Sequence, residues 1–397
     1  MSSVKCHSAT PDITPPPTRD TDYYFEKDDC IIRAENCLFK IHRFLLERDS
    51  PIFQDLFSLP QTSSASEHVH SGISTIRGEG ESDENPVICH DTADDFRALC
   101  WALYARPKDI DAQRTTSADL VQMARLLAIS HKYQIEHLCD WCWSVIGTKA
   151  AQVFQHLTSS SDQGWKETER LLNLSIQSQQ ARLAKALEED WLRKIQSTNI
   201  ADSQMALRAA LDAAERSAGT LRQFHGKAYY MYIKNVMMLH SSSESPIEVG
   251  NSAAFVNLDT SVLSELRCHR LCQGLWTLAQ LSMKLLAAVP RLNDNASCTD
   301  HSSICIPTWN TWWKVKSTGL PVQTHYDPRV LIESMQNLAN SDGDSFSNPR
   351  ARYDCYLRRT VMEQIPIPCK ASVLDQLKEM TKILDDTLAD YFMLPHD

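Results

Sequence analysis

Leu38-Phe39-Lys40-Ile41-His42-Arg43-Phe44-Leu45-Leu46-Glu47-Arg48-Asp49-Ser50-Pro51-Ile52-Phe53 changes its apolar period in the middle, and that change sets the architecture. Leu38 and Ile41 frame a short strand that runs into His42. From there Phe44, Leu45, Phe53, Leu56 and Phe57 follow the spacing of a helix packing one face inward. Upstream, Cys30-Ile31-Ile32-Arg33-Ala34 reads as a strand, with Asp28-Asp29 before it and Glu35-Asn36 as turn chemistry after it, so residues 30–34 and 38–41 form a hairpin. Order is expected to begin near Asp22; residues 1–19 are Ser/Thr/Pro-rich and read as a disordered lead.

Downstream, residues 61–85 are polar and aperiodic and read as a mobile insertion; His68 and His70 within it carry no metal expectation. Pro86-Val87-Ile88-Cys89-His90 is a short strand. Asp91 or Thr92 then caps a helix whose first turn is acidic, as the helix dipole favours. Phe96, Leu99, Cys100, Leu103 and Tyr104 make its buried stripe, and Ala105-Arg106-Pro107 ends it.

The strand–His42–helix succession resembles the opening of a BTB/POZ domain. The ordered set His42, Ser50-x-x-Phe53, Phe96, Tyr104, Lys132-Tyr133 and Leu138 is similar to that family over residues 22–147. Leu126-Leu127-Ala128-Ile129-Ser130-His131-Lys132-Tyr133-Gln134-Ile135 resembles the family's last helical hairpin. Tyr23-Tyr24-Phe25-Glu26, Glu47-Arg48-Asp49-Ser50-Pro51 and Ser58-Leu59-Pro60 look most like the BTB proteins abundant in mushroom-forming (basidiomycete) fungi. The resemblance implies an α+β BTB/POZ domain, a small sheet with packed helices, over residues 20–148. It also implies that association buries the N-terminal segment and first helix, through Tyr23, Tyr24, Phe25, Phe44, Leu45, Phe53 and Phe57.

Leu127 and Leu138 stand eleven positions apart, as do Leu172 and Leu183, and Ala210 and Leu221. Each pair brackets a polar break, so stacked helical hairpins are expected. Residues 149–240 resemble the helical extension, often called BACK, that follows many BTB domains, and residues 253–397 read as a further all-α C-terminal region. There, residues 258–292 carry a leucine-rich helical face, and two helices are expected near 353–365 and 373–391.

At 397 residues the chain suggests two or three domains, and 43% hydrophobic residues fill ordinary cores. A net charge of −10 with interleaved basic residues argues against nucleic acid as a partner. No run approaches the roughly 18 apolar residues of a membrane helix, and no apolar segment follows a basic start, so a secretory signal is not expected. Thirteen scattered cysteines read as thiols of the cytosol or nucleus.

Cys298-x2-His301-x3-Cys305 has a spacing that lets three soft ligands meet a structural zinc, with Cys355 or Cys369 available as a fourth. Buried, idle thiols are the favoured reading, so no cofactor is expected. Cys139-x2-Cys142 falls inside an amphipathic helix, and Cys268-His269-x2-Cys272 sits among leucines; both read as core. His42 reads as a core histidine bonded to backbone, Trp309, Trp312 and Trp313 as a core anchor, and Glu188-Glu189-Asp190 as a solvated face. No phosphate loop, nucleophile elbow or zincin pattern is present.

The expected function is a protein–protein interaction scaffold, a homodimer or BTB heteromer, not an enzyme, with no small-molecule substrate. A cullin-type ubiquitin-ligase adaptor is the alternative, although the family's apolar-x-Glu signature is replaced by Ala105-Arg106-Pro107-Lys108-Asp109. An enzyme built on His301, His325, Tyr326 and Asp327 is a remote one.

Overall fold

A computed structural model describes residues 16–58, 68–70, 73–75, 80–158, 163–241, 263–287, 291–292, 298–317, 327–340, 365 and 367–393. The chain divides into two compact units, Met1–Leu187 and Glu188–Asp397.

In the first unit the hairpin forms as the residues dictate. Strands β2 (Cys30–Ala34) and β3 (Cys37–Ile41) pair antiparallel, and Glu35 takes the turn in the left-handed conformation at φ 51°. Both strands are nearly continuous apolar runs and are buried along almost their whole length, as strands covered on both faces must be. Strand β1 (Thr18–Tyr24) pairs parallel with β3. Thr18 and Arg19 already pair with Cys37 and Leu38, so these two residues of the expected disordered lead belong to the sheet.

The polar insertion is not simply a loop. It contributes β4 (His68–His70) and β5 (Ile73–Thr75), which pair antiparallel, and β5 joins β6 (Val87–Cys89). The result is a six-stranded mixed sheet in the order β1-β3-β2-β6-β5-β4.

Helices α1 (Arg43–Asp49) and α2 (Pro51–Ser58) follow β3, and α3 (Ala93–Tyr104) follows β6. Thr92, not Asp91, caps α3, accepting from Asp95 N at 3.1 Å. Asp91 is used differently: buried, it receives Lys132 Nζ at 2.9 Å and the Tyr133 hydroxyl. Phe39 meets Phe96 at 4.9 Å between ring centroids, and Phe53 stacks on Tyr133 at 4.5 Å. These contacts clamp the sheet and α2 to the helices behind them.

After α4 (Pro107–Ala112), helices α5 (Leu120–Lys132) and α6 (Glu136–Thr148) form the first expected hairpin. Its break is a Schellman motif: Gln134 is left-handed at φ 55°, and Ile135 N donates to Ser130 O at 2.9 Å. The break forty-five positions on repeats it. Gln179 is left-handed at φ 57°, and Gln180 N donates to Ser175 O at 2.8 Å. That turn joins α8 (Gln163–Gln177) to α9 (Ala181–Ile195), but α8 packs chiefly against α7 (Ala150–Thr158) and α5. Ion pairs fix it there: Arg125 bridges Asp94 at 2.8 Å and Glu167 at 3.2 Å, and Arg170 reaches Asp95 at 2.7 Å. Helices α7 and α8 thus lie in the first compact unit, packed on α5.

In the second unit α10 (Ile200–Arg216) and α11 (Arg222–Ser241) pack side by side. Trp191 is wholly buried against Phe224, and its indole donates to Ala206 O at 2.9 Å. Helix α12 (Glu265–Ala287) is tied to α10 by Arg267, which reaches Asp212 at 2.5 Å and Glu215 at 2.6 Å. Helices α13 (Ile306–Ser317), α14 (Pro328–Asn340) and α15 (Ile367–Thr387) follow, and a 3-10 turn, Leu388–Tyr391, packs on α11. That packing is close: a Cβ on Gly226 would fall 2.5 Å from Ala389 Cα. The helix expected near residues 353–365 lies outside the described residues apart from Ile365, and Pro368 sits in the first turn of α15, where a proline's missing N–H costs nothing. Among the described residues, no helix is long and apolar enough to cross a membrane.

Candidate functional site

The residues expected to form an association surface divide by exposure. Phe44 is 64% exposed and Phe25 is 36% exposed. Tyr23, Tyr24, Leu45 and Phe57 are half-buried. Phe53 is not on this surface at all. It is wholly buried between Tyr133 and Phe57, because the helix face that carries Phe53 is the one turned to the end of α5. Arg43 lies over the Phe57 ring at 4.4 Å, and Arg48 over Phe44 at 5.9 Å, so a cationic side chain borders each of these two rings.

Tyr104 organises this surface, and the spacing of the sequence marks it only as the end of a buried stripe. Its ring sits 5.1 Å from Phe25, 6.4 Å from Tyr23 and 5.9 Å from His42. Its hydroxyl accepts from His42 N at 3.0 Å, lies 2.9 Å from His42 Nδ1, and approaches Asp28 Oδ2 at 3.3 Å. His42 is thus an exposed residue bonded to side chains, and its expected place in the core is overturned. The strand ends at Ile41, which points the next side chain outward. Burial raises the Asp28 carboxyl above its ordinary value despite the nearby His42, and burial raises the Tyr104 hydroxyl likewise. Beside this group runs β1, the last strand of the sheet, whose outer edge has no strand against it among the described residues.

The second constellation lies in the other unit. A single π-helical turn, His301–Cys305, leads directly into α13 and places His301 and Cys305 on one side of it. Such wide turns cost helix geometry and recur at functional sites. Cys298 stands one turn before, and Cys369 comes from the first turn of α15. The Cys298 and Cys305 sulfurs are 3.8 Å apart, and Cys369 Sγ is 3.4 Å from His301 Nδ1. No two of the four ligand atoms are more than 4.8 Å apart. His301, Cys305 and Cys369 are buried and Cys298 half-buried. Burial, with the neighbouring thiols, raises the Cys305 thiol above its ordinary value. Cys355, the alternative fourth ligand, lies outside the described residues.

The remaining candidates disperse. Cys142 is buried in α6, and burial pushes the half-buried Cys139 up to about 11, so this pair is not an activated dithiol. Cys272 and His269 are exposed on α12 and Cys268 half-buried, so the expected core placement of that trio is overturned. Trp309 and Trp313 are buried 5.6 Å apart; the Trp312 side chain is outside the described residues. Within Glu188-Glu189-Asp190, Glu189 is exposed and its neighbours are half-buried, while Leu183, Leu187, Trp191 and Ile195 are buried as the stripe requires. Asp327 accepts from Tyr230 at 2.8 Å and caps α14 through Arg329 N, so its oxygens are committed to structure. His325 and Tyr326 lie outside the described residues.

Compared with family models, with curated proteins and with solved structures, the chain matches none.

Proposed function

We propose that this chain is a protein-interaction scaffold of BTB/POZ type, which associates with itself or a related chain through its N-terminal surface in the cytosol or nucleus. The observation that carries this reading is the β1 edge, which no strand covers among the described residues, together with the exposed rings of Phe25, next in the chain after β1, and of Phe44 on α1. An unpaired edge supplies a row of backbone donors and acceptors, and aromatic anchors supply most of the energy of a typical interface. The order of a β-hairpin, an α1–α2 pair, a strand, α3 and the α5–α6 hairpin supports the same reading, because it is the succession the resemblance implies. Trp276 and Met283, seven positions apart and both exposed on α12, give the second unit an apolar face suited to a further protein partner.

Light scattering on the full chain across a wide dilution range tests the self-association. A dimer that dissociates on dilution, and does so earlier when Phe44 is replaced by aspartate, is the expected outcome. A monomer at every concentration refutes self-association.

A further inference from the structure

We propose that Cys298, His301, Cys305 and Cys369 hold a structural zinc ion that pins the start of α13 to the start of α15. The distances carry this. In a tetrahedral site with Zn–S near 2.3 Å and Zn–N near 2.05 Å, sulfur–sulfur edges are about 3.8 Å and sulfur–nitrogen edges about 3.5 Å. The two edges seen here are 3.8 Å for Cys298–Cys305 and 3.4 Å for Cys369–His301. The widest separation, at most 4.8 Å, needs about 1 Å of closure to reach the ideal.

Packing alone gives no reason for this convergence. A buried thiol is a small hydrophobe and a weak donor, satisfied by any apolar neighbour. Three thiols and an imidazole brought together from segments more than sixty residues apart share one property, which is affinity for a soft cation. A disulfide between Cys298 and Cys305 would need sulfurs about 2.05 Å apart and would leave Cys369 and His301 facing it without purpose. The site is closed: three donors are buried and the fourth is half-buried, so no open coordination position faces solvent and the role is structural. Buried Trp309 and Trp313 lie one and two turns beyond Cys305 and seat the helix that carries it.

Loading is balanced without a redox partner. Three S–H bonds and the Zn–O bonds of the incoming hydrated ion break, three Zn–S bonds and one Zn–Nδ1 bond form, and the displaced waters and three protons pass to solvent. The ion then cross-links two helix starts that stand far apart along the chain.

The test is metal analysis of the full chain, purified without chelator, together with cobalt reconstitution after stripping. The expected result is one zinc per chain. Cobalt should give an intense thiolate charge-transfer band and a tetrahedral visible spectrum. Cys305→Ser and Cys369→Ser should each lower zinc content about tenfold or more, whereas His301→Cys, which keeps four soft donors, should retain it. Stripping should lower the thermal transition, and zinc but not magnesium should restore it. The proposal is overturned if the folded wild-type chain holds no zinc and gives no thiolate–cobalt band. It is equally overturned by zinc content unchanged in a folded Cys305→Ser, Cys369→Ser double variant, or by a Cys298–Cys305 disulfide in protein purified without reductant. The wild-type metal content and cobalt spectrum decide the matter even where a variant fails to fold.

Discussion

Replacing Phe44 with aspartate separates folding from association. Phe44 is 64% exposed, so its ring contributes little to the core of its own unit. The Arg48 guanidinium lies 5.9 Å away, an exposed cation–π contact of about 0.5–1 kcal/mol. An interface would gain far more from the ring. A phenylalanine offers about 200 Å², so the exposed part is about 130 Å², worth roughly 3 kcal/mol at 25 cal/mol/Å². Burying a carboxylate in its place adds a further penalty. Phe44→Asp should therefore weaken self-association by about 100-fold or more, while thermal and urea unfolding move by no more than about 1 kcal/mol. Phe53→Ala should behave in the opposite way: this ring is wholly buried, and its loss should cost folding about 3–5 kcal/mol. Its dimer constant, measured where the variant remains folded, should stay within a few-fold of wild type. Sedimentation equilibrium and urea titration read the two quantities independently. A Phe44→Asp chain that dimerises as well as wild type would falsify the assignment of this face.

Three further outcomes are expected from the geometry. Tyr133→Phe removes a hydroxyl that donates to buried Asp91 but leaves Lys132 on both carboxylate oxygens, so a loss of about 1.5–3 kcal/mol is expected in urea unfolding; a change below about 0.5 kcal/mol refutes the bond. At Gly274 an added Cβ would overlap the Phe392 ring, so Gly274→Ala should destabilise by about 1–3 kcal/mol. Phe392→Ala should be non-additive with it, and strict additivity would sink the idea of a shared contact. Burial lowers His225 from 6.5 to about 4, so between those values the unfolded chain binds the extra proton and the folded chain does not. Stability from this group is full above pH 6.5 and declines as pH falls, by on the order of 3 kcal/mol at pH 4. His225→Gln should flatten that decline, and an unaltered pH profile would refute its burial as a neutral ring.

Local features of this chain are legible in its sequence. The change of period at His42 marks strand and helix, because side-chain direction follows backbone period within a few residues. The polar breaks after Leu127 and Leu172 are matching Schellman turns at Gln134 and Gln179, since a helix stop is decided by neighbouring backbone groups. The strands of the insertion escape a sequence reading because three residues are too few to show an alternation, and their pairing partner lies elsewhere in the chain.

What tertiary structure decided is which side of each element faces water and which distant residues meet. Phe44 and Phe53 have equal hydrophobicity, and only the packing of α2 against Tyr133 at the end of α5 buries one while the other stays exposed on α1. His42 is exposed yet held in place because Tyr104, sixty-two positions later, returns to bond it. The spacing Cys298-x2-His301-x3-Cys305 shows part of a ligand set; the fourth member depends on α15 docking against the start of α13. Period and capping are short-range and are written along the chain, whereas burial and ligand convergence arise from loop closure over tens of residues, which no local spacing encodes.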